Sequence, residues 1–251
     1  MEFSVIIVTY NSEEDIINCI KSITLFRLKY SIEIIIVDNH STDNTLKLIQ
    51  NNFKDIILLK LKNNLGYAKA ANIGSTHSSG QYLIFCNPDV IITDDIFLMS
   101  QKHLIDTNIG CISPAIKTIS GIEEFYAFKF PQRKNILIIL LKKLFNYSTK
   151  AELQINTNET NNIIKCDWVL GACLIISSNI FNGVGKFDES YFLNYEEIDL
   201  CRKLKNKFIV IADRNYSVVH IGHQSKKKIN KAKLLWIRVK SEYYFHNKKL
   251  F

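Results

Sequence analysis

Val5-Ile6-Ile7-Val8-Thr9-Tyr10-Asn11 is an unbroken, β-branched apolar run that ends abruptly in three side chains with hydrogen-bonding groups. A run with no alternation of polar and apolar positions predicts a strand covered on both faces, as in parallel sheets. Ile34-Ile35-Ile36-Val37 repeats the pattern and leads into Asp38-Asn39. The weaker runs Ile56-Ile57-Leu58-Leu59 and Tyr82-Leu83-Ile84-Phe85 lead into Asn63-Asn64-Leu65-Gly66 and Asn87-Pro88-Asp89. Helical segments lie between them. Ser12, with Asp15 three positions on, predicts a capping box for a helix whose Ile16, Ile20 and Ile23 share a face. Ser41 or Thr42 predicts the cap of a second helix carrying Leu46 and Ile49. This alternation predicts right-handed crossovers and a nucleotide-binding α/β sheet over about the first hundred residues.

The second half reads as a mixture. Residues 112–130 predict strands broken by Pro114 and Gly121, and the Asn-rich residues 156–162 predict a loop. Residues 165–176 predict a strand-like segment with Gly171 inside it, and residues 196–204 a short helix. Strands are expected around residues 208–211 and 217–220, then a basic closing helix over residues 228–246.

With 251 residues, 47% of them hydrophobic, the chain can bury one large core, and a single domain is the expectation. The net charge of +8 implies an anionic partner: nucleic acid, a membrane surface or a phosphorylated small molecule. None of the six cysteines forms a two-residue-spaced pair of the kind found in zinc ribbons, so buried, reduced thiols are expected. The longest aliphatic run, residues 136–141, is far short of the roughly 20 residues of a spanning helix. The start of the chain, with no basic or cleavable leader, predicts a cytoplasmic location.

Ligands of open parallel sheets bind beyond the carboxyl ends of the strands, so the chemistry is sought there. Asp38 could accept a hydrogen bond from a pyrimidine imide or a ribose hydroxyl, or could begin an Asx turn. Gly66 and Gly74 flank Lys69 and Asn72, which could serve a diphosphate or simply a loop-to-helix turn. Pro88 fixes a bend that presents Asp89 as a hard-cation ligand, although Asp89 could instead cap a helix starting near Thr93. Glu196, Glu197 and Asp199 open a predicted helix, where acids suit the dipole. Because Tyr191, Phe192, Leu193 and Tyr195 precede them, one carboxylate could keep a raised pKa and act as a base. His220 follows a strand and reads as a metal ligand or an ordinary strand-end histidine.

Taken in order, these elements resemble the GT-A fold glycosyltransferases of family two, particularly the rhamnosyltransferase-like branch of bacterial polysaccharide enzymes. The resemblance is carried by residues 5–11, 37–43, 64–67, 72–74, 87–89, 171–172, 185–189 and 196–200 and by His220, and it covers roughly residues 3 to 225. It implies an α/β, GT-A fold with a mostly parallel nucleotide-binding sheet flanked by helices and a mixed acceptor-side half. The division would be residues 1–110 for the nucleotide-sugar half, 111–225 for the acceptor and catalytic half, and 226–251 for the closing helix.

The resemblance further implies that Thr9, Tyr10, Asn11 and Asp38 hold the nucleoside, while Asn64, Gly66, Lys69, Asn72 and Asn87 lie near the diphosphate and sugar. Asp89 and His220 would hold Mg2+ or Mn2+, and Glu197 would be the catalytic base of an inverting transfer. Gly171, Ala172, Glu196 and Asp199 would face the sugars, with Trp168 forming acceptor wall. The expected partners are a UDP- or dTDP-sugar donor and a saccharide or lipid-linked acceptor. Read from its own residues, the basic closing helix could meet an anionic membrane surface or simply cover the sheet, and residues 136–145 are a second candidate surface patch. Three positions depart from the family pattern. Asn87 stands where many relatives have Asp, Lys203 where they have Arg, and His223 where glycine is common, so His223 competes with His220 as ligand. A nucleotide-sugar hydrolase or epimerase is the alternative. A nucleic-acid-binding role, suggested by Lys226-Lys227-Lys228, is disfavoured because basic tails commonly serve as solvated faces.

Overall fold

A computed structural model describes residues 1–124, 126–131, 161–222 and 231–248. Its first half alternates β1 (Phe3–Thr9), α1 (Ile16–Thr24), β2 (Ile32–Asp38), α2 (Thr45–Asn52), β3 (Ile57–Lys60), α3 (Tyr67–Thr76), β4 (Tyr82–Cys86), β5 (Val90–Ile92) and α4 (Ile96–Leu104). There follow β6 (Ile109–Lys117), β7 (Ala127–Phe128), β8 (Ile163–Cys166), β9 (Trp168–Val169), β10 (Cys173–Ser177) and α5 (Ser178–Gly183). The chain then forms α6 (Glu196–Leu204), β11 (Ile209–His220) and α7 (Lys231–Asn247). Among the described residues nine strands form one sheet, in the order β3-β2-β1-β4-β10-β6-β11-β5 with β8 added to β11; β7 and β9 form a separate pair.

The apolar runs explain the parallel half. Every residue of β1 is buried, because helices cover both faces and leave no room for a polar alternation. β1 lies parallel to both β2 and β4, and β2 parallel to β3, so their carboxyl ends share one edge. Ile16, Ile20 and Ile23 of α1 are fully buried against this half. The mixed half begins at β10, antiparallel to both β4 and β6. Direction fixes position: β10 starts beside the end of β4, and the Asn87 amide donates to the Ala172 carbonyl at 2.9 Å. β11 runs antiparallel to β5 and pairs His220 with Val90, which brings His220 beside Asp89.

Local expectations need correction at several points. Pro114 lies inside β6 without breaking it, because only one residue pair joins β6 to β10, and the β11 register shifts just after the residue opposite Pro114. The two strands expected around residues 208–211 and 217–220 are one strand, β11, bent by that same irregularity, where Asp213 Oδ1 accepts from the amide and side chain of Asn215. Residues 165–176 divide among β8, β9 and β10. Asp15, not Ser12, is the cap position of α1, and Asn44, not Ser41 or Thr42, that of α2. α4 starts at Ile96 and is capped by Asp95, which accepts from the Leu98 amide, so Asp89 is no cap. All six cysteines are free, and only Cys166 is not fully buried. Among the described residues no helix is long and apolar enough to cross a membrane. His223, Lys226-Lys227-Lys228, residues 136–145 and most of the Asn-rich stretch lie outside the described residues.

Candidate active site

The shared strand edge opens into a cleft of roughly 450 Å3. Ten of the sequence-predicted residues line it: Tyr10, Asn64, Gly66, Asn87, Asp89, Gly171, Ala172, Glu196, Glu197 and His220. Its apolar walls include Phe85, Leu170, Leu174, Phe187 and Phe192, so polar groups inside it act in a poorly solvated space.

Asp89 is 5% exposed, and its Oδ1 is buried with no hydrogen bond; its nearest cationic partner is His220 Nε2 at 3.4 Å. On the other side of the imidazole, Nδ1 lies 3.3 Å from Glu124 Oε2. Burial lowers the His220 pKa, but the adjacent Asp89 and Glu124 carboxylates outweigh it and leave the imidazole raised. A carboxylate oxygen without a donor beside a histidine oriented by a second acid is a donor set suited to a divalent cation. Among the described residues no three His, Cys, Asp or Glu side chains converge as a complete cage, so remaining ligands must come from elsewhere, such as a bound diphosphate.

Glu196 and Glu197 enter the cleft from the first turn of α6. Asn194 and Tyr195, both left-handed at φ 66° and 77°, turn the chain so that the helix begins there. Such a conformation is unusual for a bulky aromatic and is held by its surroundings. Glu196 is 6% exposed, and burial, reinforced by the neighbouring Glu197, pushes its pKa well above the ordinary carboxylate range. Gly171 lies alongside Glu197: a Cβ there would stand 3.6 Å from the Glu197 side chain.

The other predicted residues build the walls from behind. Thr9 Oγ1 donates to Asp38 Oδ1 (3.1 Å), and the Ser41 amide donates to Asp38 Oδ2 (3.0 Å), so Asp38 is buried and pins the turn after β2. Asn11 accepts from the Thr42 amide at 2.7 Å and ties the ends of β1 and β2 together. Lys69 faces solvent with Glu189 at 3.5 Å. Asn72 exchanges hydrogen bonds with the backbone of Phe187. Trp168 is buried, stacked on Phe128 at 4.2 Å between centroids. Asp199 is fully buried under α6, paired with Arg202 (2.7 Å) and Lys248 (2.8 Å). None of these seven lines the cleft.

Four cleft residues were missed in the sequence. Asn39, just after β2, donates to Asn64 Oδ1 and the Gly66 carbonyl and accepts from the Leu65 amide, clamping the loop before α3. Glu123 is held by Arg214 at 3.1 Å, and Glu124 reaches His220. Asn194 lines the cleft beside α6. The acidic pair after the Gly121 turn was the one available signal for Glu123 and Glu124, and Asn39 was marked by its place at the end of an apolar run, whereas Asn194 carried none.

A four-stranded parallel nucleotide-binding half, a mixed second half and acids converging at their common edge define a GT-A fold of the glycosyltransferase class. The chain belongs to glycosyl transferase family 2, whose model matches residues 4–164. It is 28% identical to the low-salt glycan biosynthesis hexosyltransferase of Haloferax volcanii over 84% of this chain and 64% of that protein. It is 26% identical to the N-acetylglucosaminyl-diphospho-decaprenol L-rhamnosyltransferase of Mycobacterium tuberculosis over 80% of this chain and 69% of that one. A crystal structure of GalNAc-T7 with UDP, GalNAc and Mn2+ shares the fold at TM-score 0.64 and 16% identity, covering 89% of this chain and 44% of that one. The chain thus spans just under two thirds of the Haloferax relative. The resemblance to rhamnosyltransferase-like members of the family is upheld by these relatives.

Proposed function

We propose that the chain is an inverting glycosyltransferase that moves one sugar from a UDP- or dTDP-sugar onto a saccharide or lipid-linked acceptor in the synthesis of a bacterial surface polysaccharide. The observation that carries this reading is the meeting of Asp89, His220 and Glu197, from three distant parts of the sequence, in one cleft. Tyr10, Asn64, Gly66 and Asn87 line the same cleft and would receive the nucleotide sugar, with Thr9, Asn11 and Asp38 shaping the nucleoside end from beneath. Family likeness to a hexosyltransferase and an L-rhamnosyltransferase, and a shared fold with a protein crystallised with UDP and Mn2+, support the same assignment.

Asp89 and His220 would hold Mg2+ or Mn2+ together with the donor diphosphate, and the ion would supply positive charge for the departing nucleotide. Glu124 orients His220 for that role. Glu197 removes the proton from the attacking acceptor hydroxyl as the oxygen approaches the anomeric carbon opposite the leaving group. Direct displacement inverts that carbon and needs no nucleophile from the enzyme. The chain would act as one catalytic unit in the cytoplasm, with the outer face of α7 resting on anionic lipid.

The reading is tested by incubating candidate nucleotide sugars with and without saccharide or lipid-linked acceptor. Acceptor-dependent release of nucleoside diphosphate, with inverted anomeric configuration by NMR, is expected. Release that proceeds equally without any acceptor would identify a hydrolase instead.

A further inference from the structure

α7 buries one face, which carries Ile237, Ser241, Glu242 and Phe245 at helical spacing. Anchoring a helix needs only apolar side chains at such positions. A carboxylate is costly to bury unless it is hydrogen-bonded, so the burial of Glu242, 3% exposed, points to a specific contact.

Both polar groups of this face reach one short segment. Ser241 donates to the Leu193 carbonyl at 3.3 Å, and the Tyr195 hydroxyl donates to the Glu242 carboxylate. The Tyr195 ring also packs on Phe245, with 5.5 Å between centroids. Burial first, and then the Glu242 charge and hydrogen bond, push the Tyr195 pKa up and keep its hydroxyl a donor. The Glu197 charge acts in the same direction, so this hydroxyl lies within electrostatic reach of Glu197.

Tyr195 is the left-handed residue, at φ 77°, from which α6 starts, and Glu197 lies two residues on. A bulky aromatic keeps that conformation only where its surroundings hold it. Before the turn, the Tyr67 amide donates to the Phe192 carbonyl at 2.7 Å and fastens the segment to the loop before α3. After it, Arg202 donates to the Phe245 carbonyl at 2.6 Å with its guanidinium over the Phe245 ring, and Lys248 pairs with Asp199 at 2.8 Å. Those contacts fix the course of the chain on either side, and Glu242 holds the turn itself.

We propose that Glu242 is a positioning residue for the transfer reaction: by holding Tyr195 in its left-handed turn, it aims Glu197 at the acceptor hydroxyl. The proposal rests on the assignment of Glu197 as base. Rate depends steeply on the placement of a base, whereas the nucleotide is held by other elements of the cleft.

The test compares wild type, Glu242→Leu, Glu242→Gln and Tyr195→Phe, each with and without Glu197→Gln. Initial rates are measured with UDP-glucose, UDP-GlcNAc or dTDP-L-rhamnose, Mn2+ and a panel of saccharide and GlcNAc-diphospho-polyprenol acceptors, and the binding of UDP and dTDP by calorimetry. Glu242→Leu removes the acceptor, and Tyr195→Phe removes the donor while it keeps the ring on Phe245. Each is expected to lower kcat roughly tenfold, with KM for the nucleotide sugar and the binding of nucleoside diphosphate within about twofold of wild type. Glu242→Gln, whose amide oxygen still accepts from Tyr195, should keep kcat within about threefold. In the Glu197→Gln background the same substitutions should cause no further loss, because no base is left to aim. Wild-type kcat in both Glu242→Leu and Tyr195→Phe overturns the proposal, and so does a loss that persists undiminished in the Glu197→Gln background, which would mark a helix anchor only. A Glu197→Gln enzyme as fast as wild type, or a wild type that transfers none of the three sugars, overturns the base assignment and the proposal with it.

Discussion

Glu196 and Glu197 are adjacent in the sequence, yet the chain treats them differently. Glu196 is buried, and its carboxyl is held toward the protonated form by burial first and by the Glu197 charge second. A carboxyl whose folded pKa is raised stabilises the fold below its unfolded pKa and loses that contribution as pH rises through the folded value. Glu196→Gln is neutral at every pH, so its melting temperature relative to wild type should climb by a few degrees between pH 5 and pH 9; a difference constant with pH contradicts this account. Glu197 is partly accessible in the cleft, as a base must be. Glu197→Gln should bind donor within about twofold of wild type while transfer falls roughly a hundredfold to ten-thousandfold, read by parallel titration and turnover measurements; near-normal turnover would remove its role as base. These acids were legible because they leave an aromatic run at a helix start. Asn194 was not, since an amide in a loop carries no periodicity, and only the fold shows what lies opposite it.

At the scale of elements, the loop before α3 depends on a glycine. Gly66 has φ 85°, and its missing side chain makes room for the Phe192 carbonyl. Gly66→Ala is expected to lower stability by about 1–3 kcal/mol in urea denaturation and to weaken donor binding, because either the loop before α3 or the Asn194 segment must move. No loss in either measurement would show that the two are not fastened together. α7 is the other exposed element of interest. Ile237 and Phe245 are buried, and Tyr244 bonds Asp188, whereas Leu235, Trp236 and Tyr243 are 48%, 64% and 67% exposed beside exposed Lys233 and Lys240. Aromatic and basic side chains on one outer face suit an anionic bilayer surface. Cosedimentation with vesicles containing phosphatidylglycerol should therefore fall several-fold in Trp236→Ala with Lys240→Glu, and absence of wild-type binding to those vesicles contradicts the membrane role. The sequence showed the parallel strands and α7 through long apolar or basic runs. It concealed the path of β6 through Pro114 and the single bent β11, because both are tolerated only through pairing with distant strands.

Over the whole molecule, sheet direction does what no local motif can. Parallel β1, β2 and β4 bring Tyr10, Asn39 and Asn87 to one edge; antiparallel β10 returns Gly171 and Ala172 to it; and the pairing of β11 with β5 sets His220 beside Asp89. α6, braced from behind by Arg202 and Lys248 on Asp199, delivers Glu197 to the same place. The proposed function therefore requires residues from distant parts of the chain to enclose one diphosphate and its cation. Calorimetric titration of UDP and of dTDP, each with and without Mn2+, against wild type, Asp89→Ala and Glu197→Gln tests that claim most directly. The account expects one nucleotide to bind in a Mn2+-dependent manner, with affinity lowered at least roughly tenfold by Asp89→Ala and unaltered by Glu197→Gln. Binding by Asp89→Ala equal to wild type, or no binding of either nucleotide with Mn2+ present, would contradict it.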